Sequence, residues 1–381
     1  MINVAVPPQA GAPAAGSVVV RGGDETIWLE GLPAVQAARR GGVLDGWEEL
    51  LALDEVATFF QTPAWCLPWY RCYAEEFSPL VLVVRRARRL VGLAPLAVRR
   101  TTGGLAFAGD GMTDYRDVVA SDEHRASVVA ALLDRYRAGA LPQVFRVGPL
   151  QPDSATARLI PVQARPLRLR TIARAHECWR LRLDNSTDLE RFINKDSVRR
   201  RLNYFRRQGE VALERLTPET WPRLRQTFFA HHSQRQIRMG RVVAFEDPRK
   251  RAFYDALIAE HPESVHLTAL RVGQRYVAEH YGYLWRGVLY WGAPAHDVAE
   301  ERNSPGQVLL AVLIQSAAAS GLRTIDFTLG SEEFKGRFGN ERVELPTIEV
   351  YGSAHRYHRQ RLRDAAVRSV KRLRPRLGQA P

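Results

Sequence analysis

The pattern of hydrophobic and polar positions predicts helices and strands in the same order in both halves of the chain. In the first half they predict a helix at 47–75, strands at 80–84, 90–98, 105–108 and 114–119, a helix at 124–137 and a strand at 143–147. In the second half they predict a helix at 219–235, strands at 266–272, 276–284 and 288–292, a helix at 306–320 and a strand at 322–329. The order recurs although the residue identities hardly do, which favours two copies of one α/β unit in tandem over one large mixed sheet.

The most informative stretch of the chain is residues 303–335. Apolar residues at 308–319 predict the helix, and alternating residues at 324–329 predict the strand that follows it. Ser304 is a good N-cap residue, and Pro305 suits the first helical position because its missing N–H would be unpaired there. Backbone N–H groups at a helix start bind anions, most often phosphate, so this stretch predicts a ligand class.

Composition predicts the boundaries of the units. Residues 1–45 are rich in Ala, Pro, Gly and Val without a clear period, which predicts a flexible tail with one strand candidate at 26–29. A linker is expected within 151–174, which is rich in Pro, Arg and polar residues. We therefore expect an N-terminal unit at 46–175, a C-terminal unit at 176–355 and a basic C-terminal tail at 356–381.

The chain carries a formal net charge of +14, concentrated in two segments at 195–207 and 356–376. Such clusters bind nucleic acid, anionic lipid or phosphorylated small molecules, although a solvated helix face gives the same pattern. The three cysteines lack metal-ligand or disulfide spacing, and neither a membrane-spanning run nor a signal peptide is evident. We expect a cytoplasmic protein without a metal site, with a position at the membrane periphery as the alternative.

Several short segments occur in the order of a known family: 60–65 (FQTPAW), 91–96 (VGLAPL), 107–109 with Asp114-Tyr115, 197–202 (SVRRRL), 232–235 (HSQR), 277–278, 304–306 (SPG), 326–330 (DFTLG) and Phe334-Lys335. In this ordered set the chain resembles GNAT-superfamily acyltransferases of the cellulose-biosynthesis (CelD/BcsL-like) family. These enzymes are related to FemAB-type transferases, which contain two fused GNAT-like units. The resemblance spans residues 45–355 and implies an α/β fold with mixed sheets, two tandem GNAT-like units and acyl transfer in a context such as polysaccharide biosynthesis.

The resemblance also implies where the acyl donor binds. It puts the start of the predicted helix at 306–320 where a GNAT enzyme holds acetyl-CoA or another acyl-CoA. The implied contacts are the backbone N–H groups of Gly306 and Gln307 and the hydroxyl of Ser304. Gly292 would permit a bulge or a close backbone approach beside the donor. The GNAT pyrophosphate loop has more than one glycine, whereas residues 301–306 have one. Aminoacyl-tRNA therefore remains an alternative donor.

Acyl transfer to an amine needs a proton acceptor and a group that stabilises the developing oxyanion. The candidate acceptors are Glu279, His280, His232 and Asp326. Adjacent residues on a strand point to opposite faces, so only one of Glu279 and His280 faces a cleft, and His280 suits the role because imidazole titrates near neutral pH. Lys335 matches a lysine in the catalytic region of the FemAB-type relatives, which implies charge stabilisation. We therefore expect His280, Asp326 and Lys335 to be catalytic.

The resemblance implies substrate binding by His232, Arg235, Asp114 and Tyr115. The first functional hypothesis is an N-acyltransferase, in which a small-molecule or saccharide amine attacks the thioester of an acyl-CoA, with acetyl as the expected group, and no covalent enzyme intermediate forms. The second is a FemAB-like transferase that uses aminoacyl-tRNA. The third is a non-catalytic protein on a degenerate GNAT scaffold that binds nucleic acid or a membrane surface. In the last two, tRNA or an anionic surface would contact residues 199–207 and 356–376.

Overall fold

The computed structural model describes residues 18–21, 23–139, 144–184, 195–330 and 332–373. Within these ranges, the protein consists of two β-sheets and the helices that pack on them. The strands of the first sheet are β1 (Val18–Arg21), β2 (Asp24–Glu30), β3 (Phe77–Arg86), β4 (Arg89–Arg99), β5 (Leu105–Phe107) and β6 (Val119–Ala120). Its order is β1-β2-β3-β4-β5, with β6 paired to β4, and every pair is antiparallel.

The second sheet contains the longer strands. These are β7 (Phe145–Val147), β8 (Arg170–Arg182), β9 (Val211–Arg215), β10 (Val265–Val272), β11 (Arg275–Trp285), β12 (Val288–His296), β13 (Thr324–Leu329) and β14 (Glu341–Tyr351). Their order is β7-β14-β8-β13-β12-β11-β10-β9. Strands β12 and β13 are parallel, and the other pairs in this sheet are antiparallel.

Helices cover the sheets. The helices before residue 165 are α1 (Leu32–Arg40), α2 (Trp47–Leu53), α3 (Pro63–Cys72), α4 (Asp122–Ala138) and α5 (Thr156–Ala164). The later helices are α6 (Asp196–Arg206), α7 (Trp221–Arg238), α8 (Pro248–Glu260), α9 (Pro305–Ala319), α10 (Glu333–Phe338) and α11 (Ala354–Leu373). Short 3₁₀ turns occur at Phe59–Gln61, Ala244–Glu246, Pro262–Ser264 and Val298–Asn303. Within the described ranges, every helix is too short or too polar to span a bilayer.

Local sequence explains several of these elements. Strand β3 is apolar along most of its length because both of its faces are buried: Val81 and Val83 enter one hydrophobic cluster, whereas Leu80, Leu82 and Val84 enter another. Helix α8 begins after Asp247, whose carboxylate accepts a hydrogen bond of 2.9 Å from the amide of Arg249. Pro248 then occupies the first helical position, where its missing N–H costs nothing.

The structure bears on four expectations about organisation. The predicted flexible tail contains β2 and α1, because Trp28, Leu29 and Val35 are buried in the core, while residues 1–17 lie outside the described residues. The predicted linker at 151–174 contains α5 and the beginning of β8. The predicted boundary at 175/176 falls within β8, and the residue bounds of the two units stay a prediction. The predicted strand at 114–119 is a loop that ends in β6.

One hydrophobic cluster takes side chains from both halves of the chain. The ring of Phe59 stacks on that of Tyr283 at 5.1 Å between centroids, and Trp65 meets Phe253 edge-on at 4.9 Å. Aromatic pairs in these geometries add to the free energy gained from burial. The two sheets are therefore joined through a common aromatic interior.

The second sheet opens near its centre. Parallel pairing of β12 and β13 is confined to residues 288–290 and 324–326, beyond which the two strands diverge. The neighbouring pair β11/β12 changes register between Tyr281 and Tyr283, which is a β-bulge. A Cβ atom at Gly292 would overlap the carbonyl oxygen of Tyr281, so the close approach at this bulge requires glycine. The bulge expected at Gly292 is therefore present.

Candidate functional site

Two adjoining pockets open where β12 and β13 diverge. The first, which we call the polar pocket, has a volume of about 270 Å³ and is lined by Gly111, Met112, Asp114, His232, Arg235, Gln236, Arg241, Lys250, Tyr254, Tyr283, Trp291, Gly292, Ala293, Pro294, Thr328, Leu329, Glu332, Phe334 and Lys335. The second, the helix pocket, has a volume of about 220 Å³ and is lined by Arg235, Trp291, Pro294, His296, Glu301, Ser304, Pro305, Gly306, Gln307, Leu310 and Phe334. Arg235, Trp291, Pro294 and Phe334 belong to both, so the pockets share a wall.

The helix pocket contains the predicted start of α9. Ser304, Gly306 and Gln307, which were expected to contact the donor, all line it, and donor binding by them stays a prediction. Ser304 nevertheless has a left-handed backbone (φ 50°) and its side chain makes no capping hydrogen bond, so the expected side-chain cap is wrong. Its carbonyl oxygen instead accepts a hydrogen bond of 3.0 Å from the amide of Gln307. A guanidinium of α6, that of Arg201, donates a hydrogen bond to the side-chain oxygen of Gln307.

Asp114 lies in the polar pocket, on the loop between β5 and β6. Burial raises the pKa of its carboxyl group to about 6. The positive charge of Lys335 and a hydrogen bond from Thr328 oppose this rise, while the charge of Asp326 adds to it. A carboxyl group with this pKa exchanges protons close to neutral pH, as a general base must. Asp114 was expected only to bind substrate, and its environment adds the capacity to accept a proton.

Lys335 also lines the polar pocket, in the short helix α10. Its ammonium donates a hydrogen bond to the carbonyl oxygen of Leu329 and forms an ion pair of 3.0 Å with Glu332. Gly330 lies against this group with φ 128°, and a Cβ atom there would come within 2.8 Å of Lys335 Nζ. The turn before α10 therefore fixes the ammonium at the pocket.

His232 and Arg235 of α7 line the polar pocket, as their predicted role in substrate binding requires. Burial lowers the pKa of His232 to about 3, and the charges of Lys250 and Arg235 act in the same direction. His232 is therefore neutral near pH 7 and can exchange hydrogen bonds but cannot pair with an anion. Arg235 Nη1 donates a hydrogen bond of 3.4 Å to the carbonyl oxygen of Pro294 on the shared wall.

Asp326 lies behind the polar pocket rather than in it. Its carboxylate accepts hydrogen bonds from the hydroxyl of Tyr115 at 2.8 Å, from Arg180 Nε at 3.1 Å and from the amide of Thr328 at 2.8 Å. Thr328 has φ 57°, a backbone conformation that is costly for a β-branched residue. Asp326 thus holds the bend that presents Thr328 to Asp114, and its placement supports a positioning role in place of the expected catalytic one.

Two further expectations do not match the placement of the side chains. Tyr115 is buried, with its hydroxyl directed to Asp326, and lines neither pocket, so its expected contact with substrate is not supported. His280 is fully buried and stacks on Trp291 at 3.8 Å between ring centroids. Burial lowers the pKa of His280 well below its usual value, assisted by the charge of His266. His280 also lines neither pocket, and the expected role as proton acceptor lacks support because the imidazole cannot reach a ligand there.

Glu279, the alternative to His280, is also unavailable. It is completely buried on the opposite face of β11, where both carboxylate oxygens lie 3.0 Å from His231 Nδ1. The ion pair ties β11 to α7, the helix that carries His232 and Arg235. In the described part of the chain, no cluster of three or more His, Cys, Asp or Glu side chains could hold a metal ion.

The pockets contain functional side chains that the sequence reasoning missed. Lys250, Arg241 and Glu332 line the polar pocket, and Trp291 lies on the shared wall. The signal for Lys250 was the Asp247-Pro248 pair, which marks a helix start, combined with the rarity of lysine in this arginine-rich chain. The other three show no local signal, because their positions depend on long-range packing.

Comparisons with known proteins agree with this architecture. Residues 194–336 match the model of a family described as Acetyltransferase (GNAT) domain. No curated protein gives a significant match. The chain is similar to the crystal structure of FemX, with 11% identity over 82% of this chain and 96% of that one and a TM-score of 0.56. It is also similar to a conserved protein of unknown function from Bacteroides thetaiotaomicron VPI-5482, with 13% identity over 81% of this chain and 97% of that one and a TM-score of 0.51.

These comparisons show that the chain has a GNAT/FemX-type fold. The expected fold class, mixed α/β sheets in two tandem GNAT-like units, is confirmed. The GNAT domain match spans the start of α9, β12 and Lys335, and it supports a transferase of acyl groups. The CelD/BcsL-like subgroup stays a prediction.

Proposed function

We propose that this protein is an N-acyltransferase, which moves an acyl group from a donor in the helix pocket to an amine in the polar pocket. The observation that carries the proposal is the shared wall of Arg235, Trp291, Pro294 and Phe334, across which ligands in the two pockets would meet where β12 and β13 diverge. Two reactants held in adjoining sites react as if at a very high local concentration. Membership of the CelD/BcsL-like group and a saccharide acceptor are finer parts of the same proposal.

The proton of the amine goes to Asp114. Near neutral pH its carboxyl group, with a pKa of about 6, is mostly ionised and can accept this proton. The amine nitrogen then forms a bond to the carbonyl carbon of the donor, and the bond from that carbon to the leaving group breaks. With a thioester donor, the sulfur leaves with its electron pair and takes up the second proton, which the nitrogen loses as the amide forms. No covalent intermediate with the protein is needed.

Lys335 supplies positive charge at the polar pocket, opposite the carboxylate of Asp114. A fixed ammonium stabilises the negative charge that develops on the carbonyl oxygen during attack. Its hydrogen bond to Leu329 and its ion pair with Glu332 hold the group in place before the ligands arrive. A preorganised donor is more effective than a mobile one because it need not reorient during the reaction.

The helix pocket suits the activated end of an acyl-CoA. Gly306 lines the pocket at the start of α9, and Arg235 and Arg201 lie beside it, whereas the amide of Gln307 is already bonded to the carbonyl oxygen of Ser304. Leu310 and Phe334 provide apolar contact. In this proposal an acyl-CoA supplies the thioester, and acetyl-CoA is the first donor to test.

The test is acyl transfer by the purified chain, measured as release of free thiol from acetyl-CoA in the presence of amines. We expect Asp114→Asn to lower the rate of transfer by about 10²–10⁴-fold and to leave coenzyme A binding intact, because Asp114 lines the polar pocket and not the helix pocket. The exposed acid Asp153 provides the control variant Asp153→Asn. Absence of transfer with every acyl-CoA and amine would contradict this version of the proposal.

An aminoacyl-tRNA donor is the second candidate. The observation that favours it is the contact between Arg201 and Gln307, which brings the basic helix α6 to the helix pocket. Arg199 and Arg206 are exposed on the same helix, as binding to a nucleic-acid backbone requires. Stabilisation by tRNA that weakens steeply with salt, without stabilisation by coenzyme A, would favour this donor over acyl-CoA. Binding of tRNA without any acyl transfer would instead support a non-catalytic protein.

A further inference from the structure

We infer that the amine accepted in the polar pocket carries an anionic group, a carboxylate or a phosphate, which is bound by Lys250 together with Arg235. The inference rests on the proposed function, since it assigns the acceptor of that same site. It adds a specificity subsite at Lys250 on helix α8, which carries none of the residues assigned above to the transfer step.

The first argument is the charge of the lining. Four cationic side chains line the polar pocket, at Arg235, Arg241, Lys250 and Lys335, against the carboxylates of Asp114 and Glu332. Glu332 is already paired with Lys335 at 3.0 Å and lies 3.9 Å from Arg241. The described lining therefore has more positive than negative charge, and the excess lies at Lys250 and Arg235.

The second argument is the environment of Lys250. Its ammonium lies over the rings of Phe245 and Tyr254, at 5.1 Å and 6.0 Å from their centroids, and the side chain is half-buried. Among the described residues, no carboxylate lies within ion-pair distance of it. Burial lowers the pKa of Lys250, against the more distant charges of Asp247 and Asp114. An anion at the pocket would offset this unfavourable burial, which makes the pocket selective for one.

Arg235 has a similar environment. Its contact within the described chain is the carbonyl oxygen of Pro294, which is a neutral acceptor. Burial lowers the pKa of Arg235, and the charge of Arg241 lowers it further, while Glu332 opposes both. By contrast, the half-buried Arg174 and Arg180 of β8 each form ion pairs with carboxylates. Arg116 and Arg215 likewise bond only to carbonyl oxygens, but they lie outside the polar pocket, so Arg235 and Lys250 are the cations of this kind in its described lining.

The anion belongs to the acceptor rather than to the donor. Arg235 lies on the wall common to both pockets, but Lys250 lines the polar pocket and not the helix pocket. Asp114 in the same pocket attracts the positively charged amine before its proton is removed. A ligand with an ammonium at one end and an anionic group at the other matches both charges.

Calorimetric titration of the full chain with matched pairs of amines tests the inference. The pairs are phosphoethanolamine with ethanolamine and 4-aminobutyrate with butylamine, and they separate phosphate from carboxylate as the recognised group. We expect the anionic member of at least one pair to bind about tenfold or more tightly, a difference of about 1.4 kcal/mol. Lys250→Gln should remove this preference, whereas Lys250→Arg should keep most of it.

Arg165→Gln is the matched control, because it removes one positive charge from an exposed position outside the pocket. Equal binding of both members of every pair, or no binding of any, would overturn the inference, as would an unchanged preference in Lys250→Gln. The circular dichroism spectrum and Tm of each variant exclude misfolding as the cause.

Acyl transfer to the same amines distinguishes this inference from the proposed function. Equal rates for neutral and anionic amines would overturn the inference and leave the N-acyltransferase proposal intact. Selective binding of anionic amines without transfer from acyl-CoA or aminoacyl-tRNA would overturn the proposed function and leave the subsite in place.

Discussion

The hydroxyl of Tyr115 donates a hydrogen bond of 2.8 Å to Asp326 Oδ2, across 211 residues of sequence. Tyr115 follows Asp114 directly in the sequence. Asp326 accepts a hydrogen bond from the amide of Thr328, and the side chain of Thr328 forms a hydrogen bond with Asp114. The bond therefore joins the loop that carries the proposed proton acceptor to the strand on the other side of the pocket. Neither residue touches the pocket, yet the pair determines its geometry.

We predict that Tyr115→Phe lowers kcat for acyl transfer without changing the KM for the donor, because it loosens the polar pocket and leaves the helix pocket intact. The lost buried hydrogen bond should reduce the free energy of unfolding by about 1–3 kcal/mol. Tyr70→Phe removes a comparable buried bond, from its hydroxyl to the carbonyl oxygen of Leu96, far from the pocket. A kcat that falls equally in both variants would contradict the positioning role.

We predict that kcat/KM falls as the pH decreases through about 6, because protonated Asp114 can no longer accept a proton. Asp114→Asn should lower the rate by about 10²–10⁴-fold and remove this limb of the profile. Since burial raises the pKa of Asp114, its ionisation opposes folding, so the asparagine variant should be no less stable at pH 7. Persistence of the limb in Asp114→Asn would assign it to another group.

We predict that Lys335→Ala lowers kcat by about 10²–10³-fold, the usual effect of removing a group that stabilises an oxyanion. Its loss also leaves Glu332 without its closest cation, so a modest decrease in Tm is expected. Arg337→Gln in the same helix removes an exposed charge and should leave kcat unchanged. Equal activity of the two variants in the thiol-release assay would exclude Lys335 from the reaction.

Alanine at two glycines should separate stability from donor binding. Gly292→Ala would overlap the carbonyl oxygen of Tyr281 and should cost about 1–3 kcal/mol of the free energy of unfolding. Gly306→Ala meets only His296 Nδ1, at 3.8 Å, so the fold should tolerate it. Because Gly306 lines the helix pocket, its methyl group should raise the KM for the donor. Donor titrations and thermal unfolding of both variants check these opposite outcomes.

The His231–Glu279 pair predicts a pH-dependent stability. Burial opposes the charge on His231, but the hydrogen bond and charge of Glu279 outweigh it and raise the pKa of the imidazole. The pair's contribution is therefore complete below the unfolded pKa of histidine, about 6.5, and is lost as the pH rises through the folded value.

His231→Ala should reduce the free energy of unfolding by about 3–5 kcal/mol at low pH, since it leaves a buried carboxylate unpaired. Urea unfolding at pH 5.5 and 8.5 measures the effect, with His261→Ala as the surface control. An equal loss at both pH values would contradict the assignment.

The sequence predicted the elements whose signals are local. The helix start at Pro305 and the alternation of 324–329 each depend on neighbours within a few residues, and both are present. Strand β8 was missed, because charged residues interrupt its alternation and its partners β13 and β14 lie more than a hundred residues away.

In the candidate site, too, some features depend on local sequence and others on residues that are distant in sequence. Lys335, Gly306 and Asp114 could be found from short motifs, and all three lie at the pockets. The expectation that His280 accepts the proton rests on its residue type. That role also requires access to a ligand, which depends on how Trp291 packs against the imidazole. The pKa of Asp114 likewise depends on Lys335 and Asp326, which are distant in sequence.

The aromatic interior common to both sheets has a consequence for fragments of the chain. Asp114 comes from the first half of the chain and Lys335 from the second, and rings such as Phe59 and Tyr283 hold the halves together. Either half alone would carry one of the two proposed reactive groups and an uncovered aromatic face. We therefore expect neither half to be active or stably folded without the other.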